Sequence, residues 1–131
     1  MSLTRNTSTL REIRIAKPSG RFGQAYQKVP HPASGFAVVG VAVNLVLNDD
    51  GSCKSAAIGV TGVGAKAYRA QAVEAALAGT SLDDNAIASA VTHVCDGIDP
   101  NADLYASSDY RCHLAQVHAR RAIQAAKANA K

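Results

Sequence analysis

The sequence predicts an α+β domain, an antiparallel sheet of three to four strands packed on one face by three helices. Two valine-rich runs flank Asn48-Asp49-Asp50-Gly51, so residues 36–48 and 52–61 form one antiparallel hairpin about an Asp-Gly turn. From residue 70 onward apolar residues recur at helical spacing, with no β run between them. Strands first and helices afterwards separate this pattern from the alternation that builds a parallel sheet.

Taken in order, Leu10-Arg11-Glu12-Ile13-Arg14-Ile15 mixes apolar and charged residues as a half-exposed strand would. A strand near 10–17 is therefore expected to join the hairpin, ended by Pro18-Ser19-Gly20. Residues 21–35 contain Gly23, Pro30, Pro32 and Gly35 and suit a long ordered connection, a place where function often sits. In the hairpin, Gly40, Ala42, Ala56 and Ala57 leave room for helices. The first helix carries Ala70, Val73 and Leu77 on one face and stops at Gly79. The second opens with Ser81-Leu82-Asp83-Asp84, a variant capping box, buries Ile87, Ala90, Val91 and Val94, and ends at Asp96-Gly97. A loop with Pro100 leads to the third helix, capped by Ser107 or Ser108. Asp109 stands near its positive end and Arg120, Arg121 and Lys127 toward its negative end.

Composition bounds the rest. A length of 131 residues suits one domain, here 9–131, with the polar residues 1–8 disordered or a remnant foreign to it. Aromatic residues make up 5% and Trp is absent, so Val, Ile, Leu and Ala must supply the core. The formal charge of +4 is concentrated toward the two ends, as on a solvated helix face and a frayed terminus. No aromatic stacking set accompanies it, and nucleic acid is not an expected partner. No apolar run could span a bilayer and the start is polar, which points to the cytoplasm. Three cysteines without Cys-x-x-Cys argue against a disulfide framework and for a reducing compartment.

Three constellations invite chemistry. Gly62-Val63-Gly64-Ala65-Lys66-Ala67 matches G-x-G-x-x-A, with Asp83 or Asp84 following at the interval of a ribose-binding acid. Those acids open a helix with no β run before them, so the glycines are expected to serve a tight strand-to-helix turn. His93, Cys95, Cys112 and His113 have zinc-ligand chemistry, but on a helix neither close pair converges on one metal, leaving small buried Cys and surface His. His118, beside Arg120-Arg121, is expected to be a solvated helix residue, and no Gly-x-Ser-x-Gly elbow presents a nucleophilic serine.

Three blocks carry a resemblance over residues 20–123. They are Tyr26-Gln27-Lys28-Val29-Pro30-His31-Pro32-Ala33-Ser34-Gly35-Phe36-Ala37, the helix ending Glu74-Ala75-Ala76-Leu77-Ala78-Gly79, and Asp109-Tyr110-Arg111 with Arg120-Arg121-Ala122. Their order resembles the C-terminal domain of the FAD-binding (medium) subunit of the carbon monoxide dehydrogenase and xanthine dehydrogenase class, the molybdenum hydroxylases. Many members have arginine where this chain reads His31-Pro32-Ala33. The resemblance implies a domain that buttresses flavin and subunit contacts while electrons pass from molybdenum through iron–sulfur clusters to FAD. FAD would then belong to the intact subunit and not to this chain alone, which is not expected to be catalytic by itself. The implied partners are the N-terminal FAD-binding domains of the same subunit and the molybdopterin and iron–sulfur subunits. Tyr26 and Lys28 are the implied cofactor-binding residues: a tyrosine ring can cover a flavin face, and a nearby lysine can stabilise the anionic reduced flavin. The alternatives are a stand-alone nucleotide-binding module using Gly62 to Ala67, or a purely structural interaction domain.

Overall fold

The computed structural model describes residues 8–103 and 106–131. The elements are β1 (Arg21–Pro30), β2 (Ala37–Leu47), β3 (Cys53–Thr61), β4 (Tyr68–Arg69), α1 (Gln71–Leu77), α2 (Asp84–Val91) and α3 (Ser108–Asn129). The four strands lie in sequence order and pair antiparallel throughout. At the β2–β3 turn, Gly51 adopts a left-handed φ of +86° and Asp50 Oδ1 accepts from Ser52 N at 2.9 Å.

The alternation of β2 decides how the layers stack. Val39, Val41, Val43, Leu45 and Leu47 are buried on one face with Ile58 and Val60 of β3, and the helices cover that face. α3 crosses β1 and β2 on a stripe of Ala115, Ala119, Ala122 and Ala126, spaced for one helix face, and Ile123 adds bulk beside them. Alanine lets the helix approach closely. A Cβ built on Gly23 of β1 would lie 1.9 Å from Ala126 O and 2.7 Å from Ala130 N, so no larger residue fits there. α1 packs on β3, and α2 packs on α1 and α3.

Several expectations are corrected. Residues 10–17 form no strand. No strand among the described residues pairs with them, and Leu10, Ile13 and Ile15 are 77%, 74% and 87% exposed. The first strand instead occupies much of what reads as a connection, because Gly23 fits the helix contact and Pro30 closes the strand at a register shift. The turn that remains spans 31–36, where Gly35 N donates to His31 O. α2 is capped by Asp83, which accepts from Ala86 N at 2.7 Å, and not by Ser81. Its regular part ends at Val91, and residues 92–97 continue as turns. Ser107 is the cap of α3. Cys95 and Cys112, expected as separate thiols, form a disulfide with Cα atoms 6.1 Å apart, since the turns after α2 fold back on the start of α3. Cys53 is buried and free, and burial pushes its thiol pKa up. Residues 1–7, most of the segment expected to be disordered, lie outside the described residues.

Candidate functional site

The helices cover one face of the sheet and leave the other open. Strand register puts side chains from all four strands on this face, in a row running Tyr26, Ala42, Gly59, Arg69. The neighbouring row is Gln24, Asn44 and Ala57. Together they line a shallow trough of about 540 Å³. Its floor is alanine and glycine. Tyr26 stands on the β1 side, 54% exposed, with its hydroxyl over Gly40, where a Cβ would come within 2.6 Å of it. Arg69 stands on the β4 side, its Nε and Nη2 donating to the Glu74 carboxylate at 3.0 and 2.9 Å, which fixes the guanidinium at that edge. Asn44 Oδ1 is buried without a hydrogen-bond partner.

Tyr26 and Lys28 are thus brought to one face, two residues apart on β1. Lys28 is exposed and its Nζ donates to Gly35 O at 3.3 Å, which leans the side chain toward the 31–36 turn. A bare floor beside an exposed tyrosine and a lysine suits a planar aromatic group carrying negative charge. Arg69 and Asn44 escape a reading of the sequence because only strand pairing brings β4 and β2 beside Tyr26.

The Gly62 to Ala67 segment serves a structural purpose. Gly62 has φ +87°, and a Cβ there would sit 2.1 Å from Val38 O. The segment leads into β4 and only then into α1, so the glycines do not open a helix. Its carbonyls are occupied: Asn101 N donates to Val63 O at 2.6 Å, Asn101 Nδ2 to Gly64 O at 2.7 Å, and Arg111 Nη1 to Gly62 O at 3.0 Å. Arg111 is buried, and its second Nη1 bond reaches Val38 O at 2.9 Å while Nη2 meets Asp103 Oδ2 at 2.8 Å.

Cys95 and Cys112 are joined to each other as a disulfide and present no free thiolate beside their histidines. His93 Nδ1 pairs with Asp96 Oδ2 at 2.7 Å, and no cluster of three ligating side chains occurs among the described residues. His118 is partly buried rather than fully solvated. Its Nδ1 has no partner, and burial, followed by the charge of Arg121, holds its pKa below the usual imidazole value. Tyr68 donates its hydroxyl to Val94 O at 2.8 Å, and burial pushes its phenol up to about 12. No helix among the described residues is long and apolar enough to cross a membrane.

The chain is thus an α+β domain whose four-stranded antiparallel sheet is covered by helices on one face and carries an exposed tyrosine, Tyr26 of mid-β1, on the other. A family profile described as "CO dehydrogenase flavoprotein C-terminal domain" matches residues 24–126, and the chain belongs to that family. It is 35% identical over 122 residues to the carbon monoxide dehydrogenase medium chain of Afipia carboxidovorans, covering 93% of this chain and 42% of that one. The carbon monoxide dehydrogenase of Hydrogenophaga pseudoflava superposes with a TM-score of 0.80 at 31% identity, over 88% of this chain and 40% of that one. Quinoline 2-oxidoreductase of Pseudomonas putida superposes with a TM-score of 0.75 at 25% identity, over 85% and 38%. The chain thus spans about 42% of the length of the curated relative.

Proposed function

We propose that this domain works as the C-terminal part of the FAD-binding subunit of a molybdenum hydroxylase-type oxidoreductase. Its role there is to buttress the flavin and the subunit contacts. In such an enzyme electrons run from molybdenum through iron–sulfur clusters to FAD, and the other partners are the FAD-binding domains of the same subunit and the molybdopterin and iron–sulfur subunits. The observation that carries this reading is the exposed Tyr26 ring beside a floor of alanine and glycine, within the segment that matches the family.

The residues on the open face fit a flavin. Tyr26 would cover part of one ring face and exclude water from it. Lys28, held near the 31–36 turn, would place its charge where a reduced flavin gathers negative charge. When bound, the flavin supplies the electron acceptance and release; this chain binds and orients. One open face buries too little of a flavin to hold it tightly, so the chain purified alone is expected to lack the flavin's visible absorbance. Joined to flavin-binding domains of the family, it should retain FAD, and Tyr26→Ala should weaken that retention or shift the flavin's reduction potential. Unchanged retention and potential in that variant would refute the role of Tyr26.

A further inference from the structure

Cys95 and Cys112 are joined across 17 residues of sequence, between the turns that follow α2 and the start of α3. Disulfides that a fold depends on belong mainly to small domains unable to build a core of their own. This domain has a core, from Val39 and Leu45 in the sheet to Leu77, Ile87 and Ile123 in the helices, and neither bonded cysteine is fully buried in it. Both lie partly buried at its edge, where solvent reaches them, whereas the free Cys53 is only 1% exposed. An accessible bond in a domain with its own core is the kind that exchanges with dissolved thiols.

The bond also links two ties into the sheet. Val94, the residue before Cys95, accepts the Tyr68 hydroxyl of β4 at its carbonyl, at 2.8 Å. Arg111, the residue before Cys112, donates to Val38 O near the start of β2 and to Gly62 O just after β3. Asn101 N, between the two cysteines, donates to Val63 O at 2.6 Å. Strand register puts Val38, Gly62 and Tyr68 at the same end of the sheet, so residues on both sides of the bond hold that end.

We propose that Cys95–Cys112 is a reversible thiol–disulfide site for low-molecular-weight thiols, and that its state sets how firmly residues 92–101 clamp this end of the sheet. In reduction, one small thiolate attacks a sulfur of the pair and forms a mixed disulfide as the other cysteine leaves. A second small thiolate then attacks the small-molecule sulfur of that mixed disulfide, releasing the remaining cysteine and a small disulfide. Two electrons pass from the small thiols to the pair, and their two protons end on Cys95 and Cys112. The small disulfide runs the same steps backward. Closing the loop takes freedom from the opened segment, so the bonds at Tyr68 and Asn101 break less often in the oxidised form.

The test equilibrates the chain with graded ratios of reduced to oxidised glutathione, blocks free thiols with iodoacetamide and counts them by mass spectrometry. Cys95 and Cys112 should become labelled together, with the same midpoint approached from either direction. Cys53 should stay unlabelled, and the circular dichroism of the reduced chain should remain that of a folded domain. The amides of Val94, Ile98 and Asn101, bonded to Val91 O, Cys95 O and Val63 O, should exchange hydrogen at least about ten-fold faster in the reduced form, with central strand β2 unchanged. Cys112→Ser should exchange like the reduced chain in either buffer. A bond that survives reduced glutathione alone, or a chain that unfolds when the bond is cut, would make it a structural staple and overturn the proposal. So would a pair that never closes in oxidised glutathione, or equal exchange rates in the two forms.

Discussion

Replacing Arg111 by Met should destabilise the domain more than any surface change, because one guanidinium ties the start of β2, the Gly62 turn and the loop at Asp103. Its two Nη1 bonds reach the carbonyls of Val38 and Gly62 at 2.9 and 3.0 Å. Bonds from a charged donor contribute about 1.5–3 kcal/mol each. The Asp103 carboxylate is 57% exposed, so that ion pair adds less than about 1 kcal/mol. Methionine relieves the desolvation of a charge that is only 7% exposed, which offsets part of the loss. The net expectation is about 3 kcal/mol, a large share of the roughly 5–15 kcal/mol that holds a domain together. Thermal unfolding should move down by about 10 °C, at roughly 3–4 °C per kcal/mol for this size. Urea unfolding followed by circular dichroism should show a lower midpoint at unchanged slope. Asp103→Asn is the control, expected to cost under about 1 kcal/mol. If Arg111→Met costs no more than that control, the guanidinium is not the tie between these segments.

Gly23→Ala should cost at least about 1–3 kcal/mol in urea unfolding, because its Cβ would collide with the Ala126 carbonyl 1.9 Å away and α3 would have to lift. Tyr26→Ala should cost the chain under about 1 kcal/mol, as a half-exposed ring loses little burial; unfolding of this variant would make Tyr26 a packing residue. His118 titrates lower when folded than when unfolded, so its contribution is complete above the unfolded pKa and is lost as pH falls through the folded one. His118→Gln should therefore flatten the decline in stability on the acid side of neutrality, and an identical profile in the two proteins would discount the histidine.

The hairpin was legible to within a residue, at 36–48 and 52–61 against Ala37–Leu47 and Cys53–Thr61, since valine on both sides of Asp-Gly leaves few other structures. The helices were legible through the spacing of Val73 and Leu77 and of Ile87, Ala90 and Val91. β1 was hidden because its inward positions are Gly23, Ala25, Gln27 and Val29, too small or polar to register as an apolar alternation. Leu10, Ile13 and Ile15 show the converse: they carry a strand-like pattern, but a strand exists only where a neighbour pairs with it. Tyr26 and Lys28 were marked by the family resemblance, and the structure puts both on the open face. Arg69, Asn44 and the Cys95–Cys112 link depend on segments distant in sequence meeting in space, which local pattern does not encode.

The way α3 finishes has a consequence for how this domain can be wired to others. Lys131 N donates to Phe22 O at 3.3 Å and Asn129 Nδ2 to Gln24 O at 3.0 Å, so the last residues are stitched to the outer edge of the first strand. Polypeptide entering at β1 and polypeptide leaving after α3 share a single corner. A unit built this way can be spliced into a host loop through two short adjacent tethers, or given new ends by bridging residues 21 and 131 and opening a distant turn such as Asp49-Asp50-Gly51.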